Sequence, residues 1–192
     1  MAPNSHPRNP LLFQLRELYG RMIYTHKAQE KEADLAKIRQ KKWQNLQLII
    51  SSLTTTGVIV TIFGDCLWVK IVAAILSAVL FGISAYLKNS DFGGCARQHA
   101  EAAAFLWDVR EQYLTLIVDL LGGKVDEVDI RKRRDCLQEK LAAFFKDAPR
   151  TSQDSYTEAS AALQKKEEFT FSDKELDNFL PEALRLNCQH VH

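Results

Sequence analysis

Cys95 and His99 stand four apart, a spacing at which two side chains on one helical face can share a metal ion, and Cys188, His190 and His192 add soft-metal donors near the C-terminus. The helical pair has no two further ligands nearby, and both residues fall on an apolar seam. The terminal trio sits on a tail expected to be disordered, without the fixed geometry and supporting hydrogen bonds that make a metal site selective. Arg131, Lys132, Arg133 and Arg134 form a dense basic cluster. It is either a candidate site for a phosphate-bearing ligand or anionic lipid, or a solvated helical face paired with neighbouring acids. Phe92-Gly93-Gly94 and Gly122-Gly123-Lys124 lack the complete Gly-x-x-x-x-Gly-Lys-Ser/Thr pattern, so neither is a phosphate-binding loop. Spacing reveals no Ser/His/Asp arrangement. The expectation is therefore no enzyme, no resident metal and no cofactor.

The remaining polar chemistry lies inside apolar sequence. Residues 46–63 carry Ser51, Ser52, Thr54, Thr55, Thr56, Gly57 and Thr61, and residues 67–87 carry Ala73, Ala74, Ser77, Gly82 and Ser84. In lipid there is no hydrophobic drive between helices, so association relies on small residues that permit close approach and on hydroxyls that bond across the interface. A face built from Ser51, Thr54, Thr55, Gly57 and Thr61 can glue helices together, or it can line a polar path once several hairpins assemble. Ser77 and Gly82 are its candidate counterparts on the second run. Thr54, Thr55 and Thr61 are the lining candidates, and Gly57 is the expected point of closest contact. Because Ser and Thr also bond the carbonyl one turn back, hydroxyls alone do not specify a pore.

The elements that must position these groups follow from the two runs themselves. Each approaches the roughly 20 residues needed to cross about 30 Å of hydrocarbon. Only Gly64-Asp65-Cys66 joins them, so a transmembrane helical hairpin is expected. Lys37, Arg39, Lys41 and Lys42 precede the first run, and Lys88 and Arg97 follow the second, while the turn offers Asp65 and, one turn on, Lys70. Basic residues gather on the cytoplasmic side, which puts both termini there. Trp43 and Tyr86 would sit at the inner interface and Trp68 at the outer one. The competing possibility is a hairpin buried in a soluble bundle, favoured by the hydroxyls and Gln47 of the first run. A net charge of +1 and 26% charged residues hide this segregation. They also give no global attraction to nucleic acid, so no direct nucleic-acid binding is expected. Four cysteines in separate segments, with only Cys66 on the oxidising side, make a disulfide framework unexpected.

Around the hairpin the pattern is helical. Residues 1–10 read as a flexible leader, and 11–43 as a helix leading straight into the membrane. Its stripe of Leu11, Leu15, Leu18 and Met22 fades into a charged stretch, 26–42, that is either solvated or packed on other helices of an oligomer. Residues 44–88 hold the hairpin. Residues 89–150 form a cytoplasmic helical hairpin whose first arm carries the seam Cys95, His99, Ala102, Leu106, Val109, Tyr113, Leu116 and Leu120. Gly122-Gly123 ends that arm. The second arm opens with Asp126, Glu127 and Asp129 and presents Ile130, Leu137, Leu141 and Phe144. These two arms are expected to form the core, with the Leu11 helix as a third layer. Residues 151–192 hold short helices and a tail: one helix near 156–166 and one opened by the capping box at 172–175. The fold class is all-α, a two-helix transmembrane hairpin inserted in a long-helix cytoplasmic bundle.

Four segments placed around this hairpin carry a resemblance: Tyr24-Thr25-His26-Lys27, Leu106-Trp107-Asp108-Val109-Arg110-Glu111-Gln112-Tyr113, Lys146-Asp147-Ala148-Pro149-Arg150-Thr151, and Phe169-Thr170-Phe171-Ser172-Asp173-Lys174-Glu175-Leu176-Asp177. Together they resemble the SLATT family of bacterial membrane proteins, from about residue 19 to 185. The resemblance implies a two-span effector of conflict systems that disrupts the inner membrane when a partner sensor or a nucleotide signal reports invasion. It implies association with nucleotide-second-messenger synthases, sensor domains and, for some members, reverse transcriptases. It carries over no catalytic residue. The expected partners are the lipid bilayer, further copies of the chain in a homo-oligomer, and a sensor protein or nucleotide signal, since no appended sensor domain is seen. The alternative is a membrane-anchored helical scaffold that recruits a partner through the seam from Cys95 to Leu120.

Overall fold

A computed structural model describes residues 10–63, 67–165, 168–169 and 176. It contains five α-helices, α1 (Pro10–Phe63), α2 (Leu67–Ser90), α3 (Phe92–Gly122), α4 (Glu127–Asp147) and α5 (Gln153–Gln164), and no strand among the described residues. The architecture is all-α. The expectations for residues 1–9 of the leader, the turn at 64–66, the capping box at 172–175 and the terminal Cys188, His190 and His192 lie outside the described residues.

Helix α1 is 54 residues long, about 80 Å at the α-helical rise. Pro10 suits its first position, where the missing N–H is no loss, and the next proline is Pro149. One residue, Asp91, separates α2 from α3. It adopts a left-handed conformation (φ 34°) and its carboxylate accepts from the Gly94 N–H, capping α3. A Cβ at Gly94 would come within 2.2 Å of that carboxylate and displace the cap. Helix α3 closes on Gly123 at φ 63°. Asp126 caps α4, Glu127 and Asp129 occupy its first turn and Lys146 its last, an order that complements the helix dipole. Ser152 caps α5 by accepting from the Ser155 N–H, so this helix starts at 153, earlier than the Tyr156 expected from the polar link.

The apolar core joins Leu11, Leu15 and Met22 of α1 to Leu106, Val109, Tyr113 and Leu116 of α3 and Ile130, Leu137 and Leu141 of α4. Phe105 and Phe144 stack across α3 and α4 at 4.4 Å. The order of layers differs from expectation. Helix α1, not α4, is the principal partner of α3. The stretch 26–42 turns one face inward, onto α3 and α5 of the same chain, while Asp34, Lys37, Ile38, Arg39, Lys41 and Lys42 stay exposed on the other. Ala28, Ala33 and Ala36 are buried there, and their small side chains let α1 approach the buried Ala96, Ala102 and Ala103 of α3. The α3 seam therefore faces inward, beginning at Ala96 and His99. Cys95 lies outside it, exposed.

Among the described residues two helices are long and apolar enough to cross a membrane, and within their most apolar stretches only 6% and 11% of residues are buried. A core hairpin of a soluble bundle would be mostly buried. Ile59, Ile62, Trp68, Ile75 and Phe81 instead project outward at half exposure or more.

Candidate functional site

Within the hairpin, α1 and α2 meet along a line of small and hydroxyl side chains. Thr54, Ala73 and Ile83 are buried in it. Ser51, Gly57 and Thr61 are half-buried on the same edge of α1. A Cβ built on Gly57 would lie 3.6 Å from the Ala73 Cβ, so alanine fits there and a longer side chain pushes the helices apart. Thr55, Ser77 and Gly82 lie outside this seam: the first two are exposed and Gly82 has open space around it. The residues singled out from sequence thus divide into an inner set that packs one hairpin and an outer set free to meet lipid or another copy.

The hydroxyls satisfy themselves. Thr54 donates to the Ile50 carbonyl at 2.8 Å, Thr55 to Ser51 at 2.9 Å, Thr61 to Val58 at 2.7 Å and Ser77 to Ala73 at 2.9 Å. Such back-bonding lets a hydroxyl sit in hydrocarbon without an orphaned donor. Among the described residues, Gln47 Nε2 donates across the hairpin to Ser84 Oγ at 3.0 Å. Membrane interhelical hydrogen bonds of this kind average about 0.6 kcal/mol. A thermal-unfolding double-mutant cycle of Gln47→Leu with Ser84→Ala in detergent should return a coupling of about that size.

Below this bond an aromatic collar marks the end of the spans. Trp43 meets Tyr86 with ring centroids 5.0 Å apart, and Tyr86 meets Phe92 at 6.0 Å. Amphipathic rings at this level match the membrane–water boundary.

Beneath the collar lies a buried polar layer that the sequence did not announce. His26, Lys27, Gln29 and Glu32 of α1 are buried against His99 and Arg110 of α3 and Ser155 of α5. His99 Nδ1 hydrogen-bonds Gln29 Oε1, and Gln29 Nε2 donates to the Pro149 carbonyl at 2.9 Å. Glu32 Oε2 accepts from the Ser152 N–H at 2.8 Å and from its hydroxyl at 2.6 Å. Lys27 pairs with Glu30 and Glu168, and the Phe169 ring lies against His26, Lys27 and Arg110. The layer ties α1 to α3, to the α4–α5 link and to the residues after α5, directly in line with the first span.

Charge in this layer is held by its partners. Burial alone would raise the Glu32 pKa, but the bonds from Ser152 outweigh it and keep the carboxyl below its usual range. Desolvation opposes the charge on Lys27, yet its bonds with Glu168 and Glu30 hold its pKa above the ordinary value. Both histidines go the other way. Desolvation lowers His26, with Glu30 opposing and Arg110 and Lys27 adding to the fall. Desolvation likewise lowers His99 against the pull of Glu32. A histidine with a depressed folded pKa contributes stability above its unfolded pKa of about 6.5, and that stability is lost as pH falls below it toward the folded value. The melting temperature of the purified chain should therefore drop as pH is lowered below about 6.5, and the drop should shrink in His26→Gln and in His99→Gln.

The basic cluster takes the paired arrangement. Arg131 bonds Glu127, Lys132 reaches Asp129 at 3.1 Å, Arg133 reaches Asp119 at 3.4 Å, and Arg134 bonds Asp135 and Gln14. It also sits near the start of α4, and α3 carries the chain roughly 45 Å from the hairpin before α4 begins. Lipid at the collar is out of its reach. Cys95 and His99 point apart, one exposed and the other buried on Gln29. Among the described residues no group of three or more His, Cys, Asp or Glu side chains is placed to hold a metal ion.

Neither the curated proteins nor the solved structures contain a match to this chain. Residues 11–175, which include both spans, the collar and the polar layer, match the profile of the SMODS and SLOG-associating 2TM effector domain family 4. With two outward-facing apolar helices and a family match over most of its length, the chain belongs to that SLATT family and is a two-pass membrane protein.

Proposed function

We propose that the chain is a bacterial inner-membrane effector of antiviral or other conflict defence, with both termini cytoplasmic, which assembles with further copies and permeabilises the membrane when activated. The observation that carries this reading is a hairpin whose outer surface is apolar but interrupted by hydroxyls and small residues. Ser52, Thr55, Thr56, Ser77 and Gly82 are left over after the hairpin has packed itself. Copies packed through them would place Thr55 and its neighbours at a shared centre. Thr54, buried in the seam, would join such a lining only if the seam opened. The trigger is a sensor protein or a nucleotide signal acting on the helical bundle. Helix α1 runs unbroken from the bundle into the first span, so a shift of the polar layer reaches the membrane through one rigid element.

A second reading, an anchored scaffold that recruits a partner, is favoured by a different observation. Trp107, Leu114, Val118 and Leu121 are exposed at near-heptad spacing on the outer face of α3. The Cys95 to Leu120 seam first considered for that role is occupied by α1 within the same chain. Replacing the hairpin by an unrelated two-span anchor distinguishes the two. Toxicity should vanish in the exchanged protein if the hairpin is the effector, and would persist if it only localises a scaffold.

A further inference from the structure

At the level of the aromatic collar a recess of about 340 Å³ opens between α1 and the α2–α3 junction. Gln40, Gln44 and Gln47 face it from α1, and Lys88, Asp91 and Gly93 from the other side. Gln47 is committed to Ser84, and one Asp91 oxygen to the Gly94 N–H. The other groups are not. Among the described residues the Gln40 and Gln44 amides and the Lys88 ammonium have no hydrogen-bond or ion-pair partner, and Asp91 has no cation. Three unpaired polar side chains and the second oxygen of the Asp91 carboxylate therefore converge at the depth where the spans end.

Groups at that depth meet lipid headgroups rather than bulk water, a placement that rests on the two-pass membrane arrangement. Lys88 and two amides supply donors for a phosphate, and charge-assisted bonds to phosphate are among the stronger hydrogen bonds. Asp91 asks for a cation beside that phosphate. A glycerol headgroup brings no cation and sets its own negative charge near the carboxylate. A phosphocholine headgroup brings a cation with no N–H to donate. A primary ammonium one short linker from the phosphate satisfies both ends.

We propose that this recess binds the headgroup of a phosphoethanolamine lipid, its phosphate on Lys88 and the Gln40 and Gln44 amides and its ammonium on Asp91. The bound lipid would wedge between α1 and the α2–α3 junction, where the bundle joins the hairpin.

The test is native mass spectrometry of the full chain released from detergent, titrated with phosphatidylethanolamine, phosphatidylglycerol and phosphatidylcholine of matched acyl chains. Lys88→Gln and Asp91→Asn are measured in parallel. Position 88 is exposed, and Asn keeps both the cap and the tolerance for the left-handed conformation at 91, so both variants should fold. Expected is a single preferred phosphatidylethanolamine adduct whose affinity falls about tenfold in each variant. Equal adducts of all three lipids, unchanged by either substitution, would overturn the proposal. So would a preference for phosphatidylglycerol lost only in Lys88→Gln, or displacement of the lipid by equimolar soluble O-phosphoethanolamine, which would assign the recess to a free small molecule. A chain recovered from cells without detergent would contradict the membrane arrangement itself, a result separate from any of these.

Discussion

Ile59→Arg is expected to abolish membrane damage by the expressed chain while leaving its cytoplasmic bundle folded. Ile59 lies well inside the first span and is half exposed, pointing away from α2. Insertion of an arginine near mid-membrane costs roughly 2.5 to 3.5 kcal/mol, and no acid is placed among the described residues of the spans to pair with it. The polar layer and the α1–α3–α4 core lie far from position 59 and should be untouched. Colony survival on induction measures the effect, with fractionation to follow the protein. Full toxicity from Ile59→Arg would mean that the outer hairpin face takes no part in the lesion.

Leu106→Ala addresses the opposite end. Leu106 is fully buried where α1, α3 and α4 meet, and truncation leaves a cavity that the surrounding helices fill only in part. Such a change costs about 2 to 5 kcal/mol, a large share of the stability of a small bundle. Thermal unfolding in detergent should show an early transition for the bundle, while the far-ultraviolet signal of the spans persists to higher temperature. If the bundle restrains the hairpin until activation, the same substitution should raise toxicity in cells at equal expression. Reduced toxicity with normal membrane insertion would mean that the folded bundle is needed for damage rather than for restraint.

The hairpin was legible because hydrocarbon imposes a length and an apolar composition that few other environments require, and the α3 seam because leucine, valine and tyrosine recur at heptad spacing. What stayed hidden on α1 was a seam of another composition. Leu11, Leu15, Leu18 and Met22 continue, after two successive steps of four at 18–22–26, as His26, Gln29, Ala33, Ala36, Gln40, Trp43, Gln47, Ile50, Thr54, Gly57 and Thr61, at steps of three and four throughout. All of these from Gln29 onward are buried or half-buried. The hydrophobic stripe ends at Met22 because the inward positions change there from large apolar to small and polar. Spacing continued where hydrophobicity did not, and alanine at 33 and 36 was the available signal for close helix approach. The polar layer was hidden for a further reason: Ser152 meets Glu32, and Pro149 meets Gln29, across 120 residues of sequence. Of the two arrangements open for the basic cluster, pairing with Glu127, Asp129 and Asp135 was readable from their nearness in sequence, whereas the contact with Asp119 on α3 was not.

Membrane potential, followed with a voltage-sensitive dye in bacteria induced to express the chain alone and beside its genomic neighbours, tests the effector reading most directly. Depolarisation that precedes lysis, whether spontaneous or dependent on a neighbour, is the predicted result. A steady potential under both conditions, with the protein verified in the membrane fraction, would contradict it and leave the anchored scaffold as the better description.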